Sequence, residues 1–249
     1  MDEYVMLVDT WEGNTELDEQ VIWDGGVRGW IVRLNSTRGD LHIDDNFVAQ
    51  WEQAERFYRF PYFVYSPWRN GKGNYDFLGE NLPKGVKRVG IDIELEKLGY
   101  PPQVYAAEVD DFVERASRHW NLAIYTGEWF LHVLSSWPLE PDYWWGRYPY
   151  IFYSKPAIRS TWEEMHRKAK ILRWVPAPSI KVKVPIWQVS GDSFKLPGTD
   201  DRVIDINLWN GDEYGLATWI GTETPKYWVV EIDKWARTLG YVGVGPEYE

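Results

Sequence analysis

The sequence predicts an α/β fold: an irregular, TIM-like (β/α) barrel with fewer than eight regular helices. Three observations lead to this prediction. The chain has 249 residues, a length that suits one such barrel. Short apolar runs alternate with helical patterns from end to end, as in parallel sheets with crossover helices. No repeat, low-complexity tract or linker divides the chain, so we predict a single domain over residues 1–249 with a barrel core over about 5–212.

Eight segments are predicted to be strands because they are short, apolar and bounded by turn-forming residues. In chain order these segments are Val5–Thr10, Trp30–Asn35, Pro61–Trp68, Arg88–Leu95, Leu122–Thr126, Tyr143–Tyr153, Val184–Ser190 and Arg202–Leu208. We expect them to run parallel and to close into the barrel.

Helices are predicted where apolar residues recur at intervals of three and four. They cover residues 44–58, about 102–120, 128–135, 160–170 and about 225–240. Ser160 and Glu163 have capping-box spacing, and their helix lies within an apparent insertion over 156–183. Thr224-Pro225 begins the last helix, which we expect to pack on the barrel. The Gly- and Asn-rich segment 69–84 is predicted to be a long loop.

The composition excludes several functional classes. With 38 acidic and 27 basic residues and a net charge of −11, the chain would repel phosphate backbones, so we expect neither nucleic acid nor a membrane surface as partner. No cysteine is present, which removes thiolate catalysis and cysteine-held metals. The four histidines have no metal-ligand spacing, and no nucleotide-binding motif is found. We therefore expect no metal and no cofactor.

The N-terminal segment does not resemble an export signal. Acidic residues stand in MDEYVMLVDT where a signal peptide has basic ones. The sequence therefore leaves the localisation open, and both release by a phage and secretion with processing agree with it. We expect a monomer.

Aromatic residues are unusually numerous, with 17 Trp and 16 Tyr. They suit either a large aromatic core or an exposed groove, because aromatic faces match the C–H faces of sugar rings while their N–H and O–H groups bond hydroxyls. Both interpretations remain open at the level of the sequence.

Four carboxylates fall at predicted strand ends: Asp9, Asp92, Glu94 and Asp205. Active sites of parallel barrels lie at the C-terminal ends of the strands. Asp92 and Glu94 are two apart on one strand, so both face the same side. Such crowding costs stability, but it keeps one carboxyl protonated as a general acid while its neighbours stabilise positive charge, as glycosidases require.

At these residues the chain resembles glycoside hydrolase family 25, the Chalaropsis-type lysozymes. The matching segments, in the family's order, are Leu7-Val8-Asp9, Asp92-Ile93-Glu94, Ile124-Tyr125-Thr126, Trp187-Gln188-Val189-Ser190 and Ile204-Asp205-Ile206-Asn207 with Trp209 and Gly211. Each segment alone is a weak signal, and five in order make the resemblance specific.

The resemblance implies an N-acetylmuramidase that cleaves the β-1,4 bond between N-acetylmuramic acid and N-acetylglucosamine in peptidoglycan. Glu94 would be the general acid and Asp92 its partner, and Asp9 and Asp205 would complete the acidic cluster. The sugar-binding residues would be Tyr125, Tyr148, Trp187, Gln188 and Asn207.

Departures from the family pattern leave alternatives open. The third strand reads PYFVYSPW where the family has a Tyr-His-Phe-like end, and the insertion over 156–183 is added. A related glycosidase acting on a different glycan, or an inactive barrel that only binds glycan, therefore remain alternatives. For an active enzyme, attack by the substrate acetamide competes with direct attack by water, with Asp92 or Asp205 as base.

Overall fold

Eight strands close into a barrel in the computed structural model, which describes residues 4–36, 41–172 and 178–222. The strands are β1 Val5–Thr10, β2 Gly29–Arg33, β3 Tyr58–Val64, β4 Arg88–Asp92, β5 Asn121–Gly127, β6 Asp142–Gly146, β7 Ile186–Ser190 and β8 Asp205–Trp209. The predicted fold class, an irregular (β/α) barrel, is confirmed. The bounds of β1 agree with the prediction, while the predicted sixth strand, Tyr143–Tyr153, is too long because β6 ends at Gly146.

The last strand runs against its neighbours. Strands β1 to β7 pair in parallel, each with the next in space, but β8 is antiparallel to both β1 and β7. The prediction of an all-parallel barrel is therefore wrong for β8. Residues 191–204 between β7 and β8 contain a two-residue strand, Phe194–Lys195, but no helix. A parallel return needs a long crossover, so the chain turns back at the same end of the barrel instead.

Six α-helices are found in the described residues: α1 Glu19–Asp24, α2 Phe47–Gln53, α3 Gly71–Asn81, α4 Pro102–Ala116, α5 Trp162–Ile171 and α6 Glu213–Ile220. None of those helices has the length and apolar character needed to cross a membrane. The helix predicted over about 225–240 lies outside the described residues.

Helix α3 lies where a loop was predicted, and packing explains the error. Asn70 caps it by accepting a hydrogen bond from Gly73 N at 2.7 Å. A Cβ on Gly71 would lie 2.4 Å from the carbonyl oxygen of Glu108 on α4. This glycine therefore allows two helices to approach closely, and tertiary contact outweighs its low helix propensity.

Other predicted helices are shorter than expected. Helix α2 ends at Gln53 and a 3-10 turn, Ala54–Arg56, follows, because Tyr58 already belongs to β3. Only a 3-10 turn, Leu131–Val133, forms within the predicted helix over 128–135. Helix α5 is capped by Thr161, whose hydroxyl accepts from Glu164 N, one residue beyond the predicted cap.

Helix α6, which the sequence analysis did not predict, closes the barrel floor. Its Trp219 meets Phe60 of β3 edge-on, with ring centroids 5.5 Å apart. The Arg88 guanidinium lies 4.0 Å from the Trp219 ring centroid, and Trp219 Nε1 donates to Asp142 Oδ2 at 2.6 Å. Above it, lumen-facing side chains of alternate strand positions, including Ile31 and Phe60, are buried. The lumen is thus a packed core, open only at the other end.

We expect Trp219→Ala to lower the free energy of unfolding by roughly 3–5 kcal/mol, since it opens a cavity beneath the barrel core. Tyr214→Ala on the same helix is the matched control, because Tyr214 is 71% exposed and should change stability little. Denaturant unfolding followed by circular dichroism measures both. Equal losses in the two variants would show that Trp219 does not hold the floor.

Candidate active site

A cavity of about 410 Å³ opens at the mouth of the barrel. Its walls include all four carboxylates that the sequence placed at strand ends, Asp9, Asp92, Glu94 and Asp205. The cavity is also lined by Tyr62, Tyr125, Trp144, Tyr148, Tyr153, Lys155, Gln188, Gly191 and Asp192. Residues nearly two hundred positions apart in the chain therefore share one pocket.

Strand ends bring the carboxylates together. Asp9 lies near the end of β1, and Asp92 is the last residue of β4. The chain stays extended beyond β4, since Ile93 N donates to Tyr125 O at 3.0 Å, so Glu94 lies further out toward solvent on the same side. Asp205 is the first residue of β8, rather than late in its strand as predicted. Because β8 is reversed, its first residue reaches the same mouth.

Asp9 and Asp205 are register partners across β1 and β8. Asp9 is buried, and its Oδ2 accepts from Asn207 Nδ2 at 2.7 Å and from Gln188 Nε2 at 3.2 Å. Gln188 Nε2 also lies 3.4 Å from Asp205 Oδ2. One amide group thus spans both carboxylates from the neighbouring strand β7.

The orientation of the Gln188 amide is fixed by two tyrosines. Its Oε1 accepts from the Tyr125 hydroxyl at 2.5 Å and from the Tyr148 hydroxyl at 2.8 Å. With both hydroxyls donating to Oε1, the NH₂ group must face the acids. The predicted site residues Tyr125, Tyr148 and Gln188 therefore form one hydrogen-bonded wall beside the carboxylates.

Desolvation raises the pKa values of two acids into the range of neutral pH. Burial raises the pKa of Asp9 to about 6, although its hydrogen bonds from Asn207 and Gln188 oppose the shift. Partial desolvation, with the charge of Asp9, raises the pKa of Glu94 to about 7. Glu94 is also the most solvent-exposed of the four, so water and substrate both reach it.

The pKa values of the other two acids, Asp92 and Asp205, are also raised. Burial, followed by the charges of Glu94 and Asp9, raises the pKa of Asp92 well above its ordinary range, and Arg33 lowers it. Burial and the charge of Asp9 do the same to the pKa of Asp205. Among the described residues no donor reaches the buried Asp92 Oδ1. Asp92 nevertheless lines the cavity, so its carboxyl group forms part of the wall.

Arg33 is the buried cation of this region. It faces the lumen at the end of β2, where its register partner is Tyr62 of β3. Arg33 Nε donates to Asp44 Oδ2 at 2.8 Å, and its Nη2 lies 3.4 Å from Glu12 Oε2. These anions compensate for the burial of the guanidinium, which stays close enough to the acids to favour the ionised form of Asp92.

Two predicted site residues do not line the cavity. Trp187 is buried in the outer layer, where its Nε1 donates to Arg147 O at 2.6 Å. Neighbouring residues of a strand face opposite sides, so Trp187 turns outward because Gln188 faces the lumen. Asn207 is fully buried below the cavity, where it donates to Asp9 and its Oδ1 accepts from Trp144 Nε1 at 2.7 Å.

The sequence analysis missed several residues of the cavity wall: Tyr62, Trp144, Tyr153, Lys155, Gly191 and Asp192. Tyr62 and Trp144 could have been found by alternation along their strands. Asp192 follows β7 with a left-handed backbone, φ 53°, and its N–H donates to Asp205 Oδ1 at 3.1 Å. No pattern in the sequence predicts that turn. In the part of the chain that the structure describes, no group of three or more His, Asp or Glu side chains could hold a metal ion.

Comparison with solved structures identifies similar folds. A family 25 glycosyl hydrolase from Bacillus anthracis has a TM-score of 0.65 and 18% identity over 88% of this chain and 95% of that chain. A bacterial lysozyme from Streptomyces coelicolor has a TM-score of 0.64 and 18% identity over 90% and 100%. The catalytic domain of an endolysin from bacteriophage P40 of Listeria monocytogenes has a TM-score of 0.60 and 14% identity over 89% and 100%.

Sequence comparisons detect no such likeness, since neither the protein-family models nor the curated proteins give a match. The resemblance to family 25 glycoside hydrolases is confirmed at the level of the fold: this chain adopts the irregular barrel seen in those enzymes.

The buried Asp9 should make stability fall as pH rises. Its pKa is raised from 3.8 to about 6, so the folded chain keeps a proton that the unfolded chain loses. The free energy of unfolding should therefore drop between about pH 4 and pH 7, by roughly 3 kcal/mol from this group. Asp9→Asn should remove that part of the drop in denaturant titrations at successive pH values.

Asp45→Asn, at an exposed carboxylate, is the control and should keep the pH dependence of the unmodified protein. If Asp9→Asn and the unmodified chain lost stability in parallel from pH 4 to pH 7, the proton would not reside at Asp9.

Proposed function

We propose that this protein is a lysozyme of the N-acetylmuramidase type, which hydrolyses the β-1,4 bond between N-acetylmuramic acid and N-acetylglucosamine in peptidoglycan. The convergence of Asp9, Asp92, Glu94 and Asp205 in one cavity carries the proposal. Crowded acids destabilise a fold, whereas glycoside hydrolysis uses neighbouring carboxyl groups to donate a proton and to stabilise an oxocarbenium-like transition state. The likeness of the fold to lysozymes and an endolysin catalytic domain supports the choice of substrate.

Glu94 is the general acid in this proposal. A pKa of about 7 keeps a large share of the carboxyl protonated near neutral pH, which suits proton donation to a leaving oxygen. Its place at the outer edge of the cavity lets the carboxyl reach a glycan that lies across the mouth. The three deeper aspartates cannot meet a polymer so directly.

Asp92 positions the nucleophile. Its carboxyl group lines the cavity and can accept the N–H of a substrate acetamido group, which orients the acetamide oxygen toward the anomeric carbon. Glu94 then protonates the glycosidic oxygen as the carbon–oxygen bond breaks and the acetamide oxygen bonds to that carbon. Water opens the resulting ring and returns its proton to Glu94. This substrate-assisted route needs no separate carboxylate nucleophile.

Asp9, Asp205 and Gln188 form the polar floor beneath the reacting sugar. Gln188 donates to both aspartates, so their carboxylates are held in fixed positions before substrate binds. With a pKa of about 6, Asp9 is mostly ionised at neutral pH, and its fixed negative charge stabilises positive charge that develops at the anomeric carbon, without reorganisation at the moment of reaction. Direct attack by water with Asp92 or Asp205 as base is the competing route.

Glu94→Gln should lower the rate of peptidoglycan hydrolysis by about 10³-fold, since the amide cannot donate the proton. The matched control is Glu96→Gln, an exposed glutamate two residues further along, which should keep full activity. Release of soluble glycan from purified peptidoglycan measures the rate, and mass analysis should find N-acetylmuramic acid at the new reducing end.

Retained activity in Glu94→Gln would remove Glu94 from the role of acid. An unmodified chain that binds peptidoglycan without cleaving it would instead show a glycan-binding barrel, and a different sugar at the reducing end would show another glycosidase.

Removal of the N-acetyl groups from the glycan distinguishes the two routes. If the acetamide attacks, turnover of N-deacetylated peptidoglycan should fall by at least about 10²-fold, because the nucleophile is lost. Binding, measured by co-sedimentation, should fall much less. Undiminished turnover of the deacetylated glycan would favour direct attack by water.

A further inference from the structure

A second groove adjoins the acidic cavity. It has a volume of about 1000 Å³ and is lined by residues that follow β5 and β6: Glu128, Trp129, Trp145, Gly146, Arg147, Tyr148, Tyr150 and Tyr153. Tyr148 and Tyr153 line both spaces. The two are therefore one continuous surface, with acids at one end and aromatic rings at the other.

The indole of Trp129 packs directly against two glycines. Gly127 and Gly146 are register partners at the ends of β5 and β6. A Cβ on Gly127 would lie 2.2 Å from the Trp129 ring, and a Cβ on Gly146 would lie 2.5 Å from it. Any side chain at either position would displace the indole. The paired glycines thus fix the ring flat against the barrel rim.

Burial does not explain this arrangement. Trp129 remains 45% exposed, Tyr153 is 49% exposed and Tyr150 is 91% exposed. A folding chain gains most by covering such rings, and contiguous exposed aromatic groups are typical of binding sites. The ring planes of Trp129 and Tyr148 differ by 36°, with centroids 6.0 Å apart, so together they present a broad and nearly continuous face.

The aromatic face is coupled to the acids through Tyr148. The Tyr148 hydroxyl donates to Gln188 Oε1, and Gln188 Nε2 donates to Asp9. A Cβ on Gly191 would lie 2.8 Å from the Tyr148 hydroxyl, so the Tyr148 side chain also packs closely against the backbone at Gly191. The aromatic face therefore has a fixed position relative to the proposed cleavage point.

We propose that Trp129, with Tyr148, Tyr150 and Tyr153, forms a carbohydrate-stacking subsite that holds a further sugar ring of the glycan strand beside the cleaved bond. This inference rests on the proposed function for the identity of the polymer. Indole and phenol faces cover the apolar C–H face of a pyranose, while the exposed hydroxyls of Tyr150 and Tyr153 can bond its polar edge. Trp129, Tyr150 and Tyr153 add binding to a long strand, while Tyr148 also orients Gln188 beside the acids.

Binding can be tested apart from hydrolysis by placing each change in the Glu94→Gln background. We expect Trp129→Ala to weaken binding to glycan strands stripped of their stem peptides by about three- to ten-fold, and Trp129→Phe to restore part of it. Gly127→Ala should weaken binding to the same extent, because it displaces the indole without removing it. Tyr214→Ala, an exposed aromatic on the barrel floor, should change nothing.

Co-sedimentation or calorimetry with the stripped strands gives the affinities, and thermal melting checks that each variant is folded. Unchanged affinity in Trp129→Ala, or an equal loss in Tyr214→Ala, would overturn the subsite. A loss seen only with intact peptidoglycan would assign the groove to stem peptides and also overturn it. Because the readout is binding, failure of the subsite and failure of the proposed cleavage are observed separately.

Discussion

The reversed strand β8 is the constraint on which the acidic cavity depends. Its antiparallel pairing with β1 sets Asp205 directly opposite Asp9, although a parallel strand would have carried its first residue to the floor. The same reversal sets Asn207 beside Gln188 of β7, so one polar layer runs across three strands. A short connection without a helix at the mouth is thus the physical origin of the cluster.

This polar layer lowers the stability of the fold but supplies the carboxyl groups that the proposed reaction needs. Burial in a poorly solvated pocket disfavours the ionised carboxylates, and it is the main cause of the raised pKa values of Asp9 and Glu94, with a smaller contribution from nearby acidic groups. The amides of Gln188 and Asn207 offset part of it by donating to carboxylates, and Arg33 adds a buried positive charge nearby. The remaining rise in pKa is what a proton-donating site needs, because a carboxyl group with an ordinary pKa would be ionised at neutral pH.

Much of the fold could be predicted, since strand alternation and apolar runs are local signals. The bounds of β1 and the positions of Asp9, Asp92 and Glu94 at strand ends came from them. The direction of β8 could not be predicted from these local signals. It depends on the connection over residues 191–204, whereas the alternation of apolar residues is the same in parallel and antiparallel strands. Helix α3 was missed because its packing on α4 outweighs its glycines. Trp187 was misplaced, although the two-residue period beside Gln188 already excluded it from the lumen.

The filled lumen has a further effect on the mouth. Beneath the carboxylates lie Phe60, Trp144 and the rings that α6 brings up from below, and these groups polarise little in response to charge. The packed lumen is therefore a region of low dielectric constant directly beneath the carboxylates. The field of an ionised carboxylate such as Asp9 is therefore directed mainly toward the opening, where a sugar that acquires positive charge would lie.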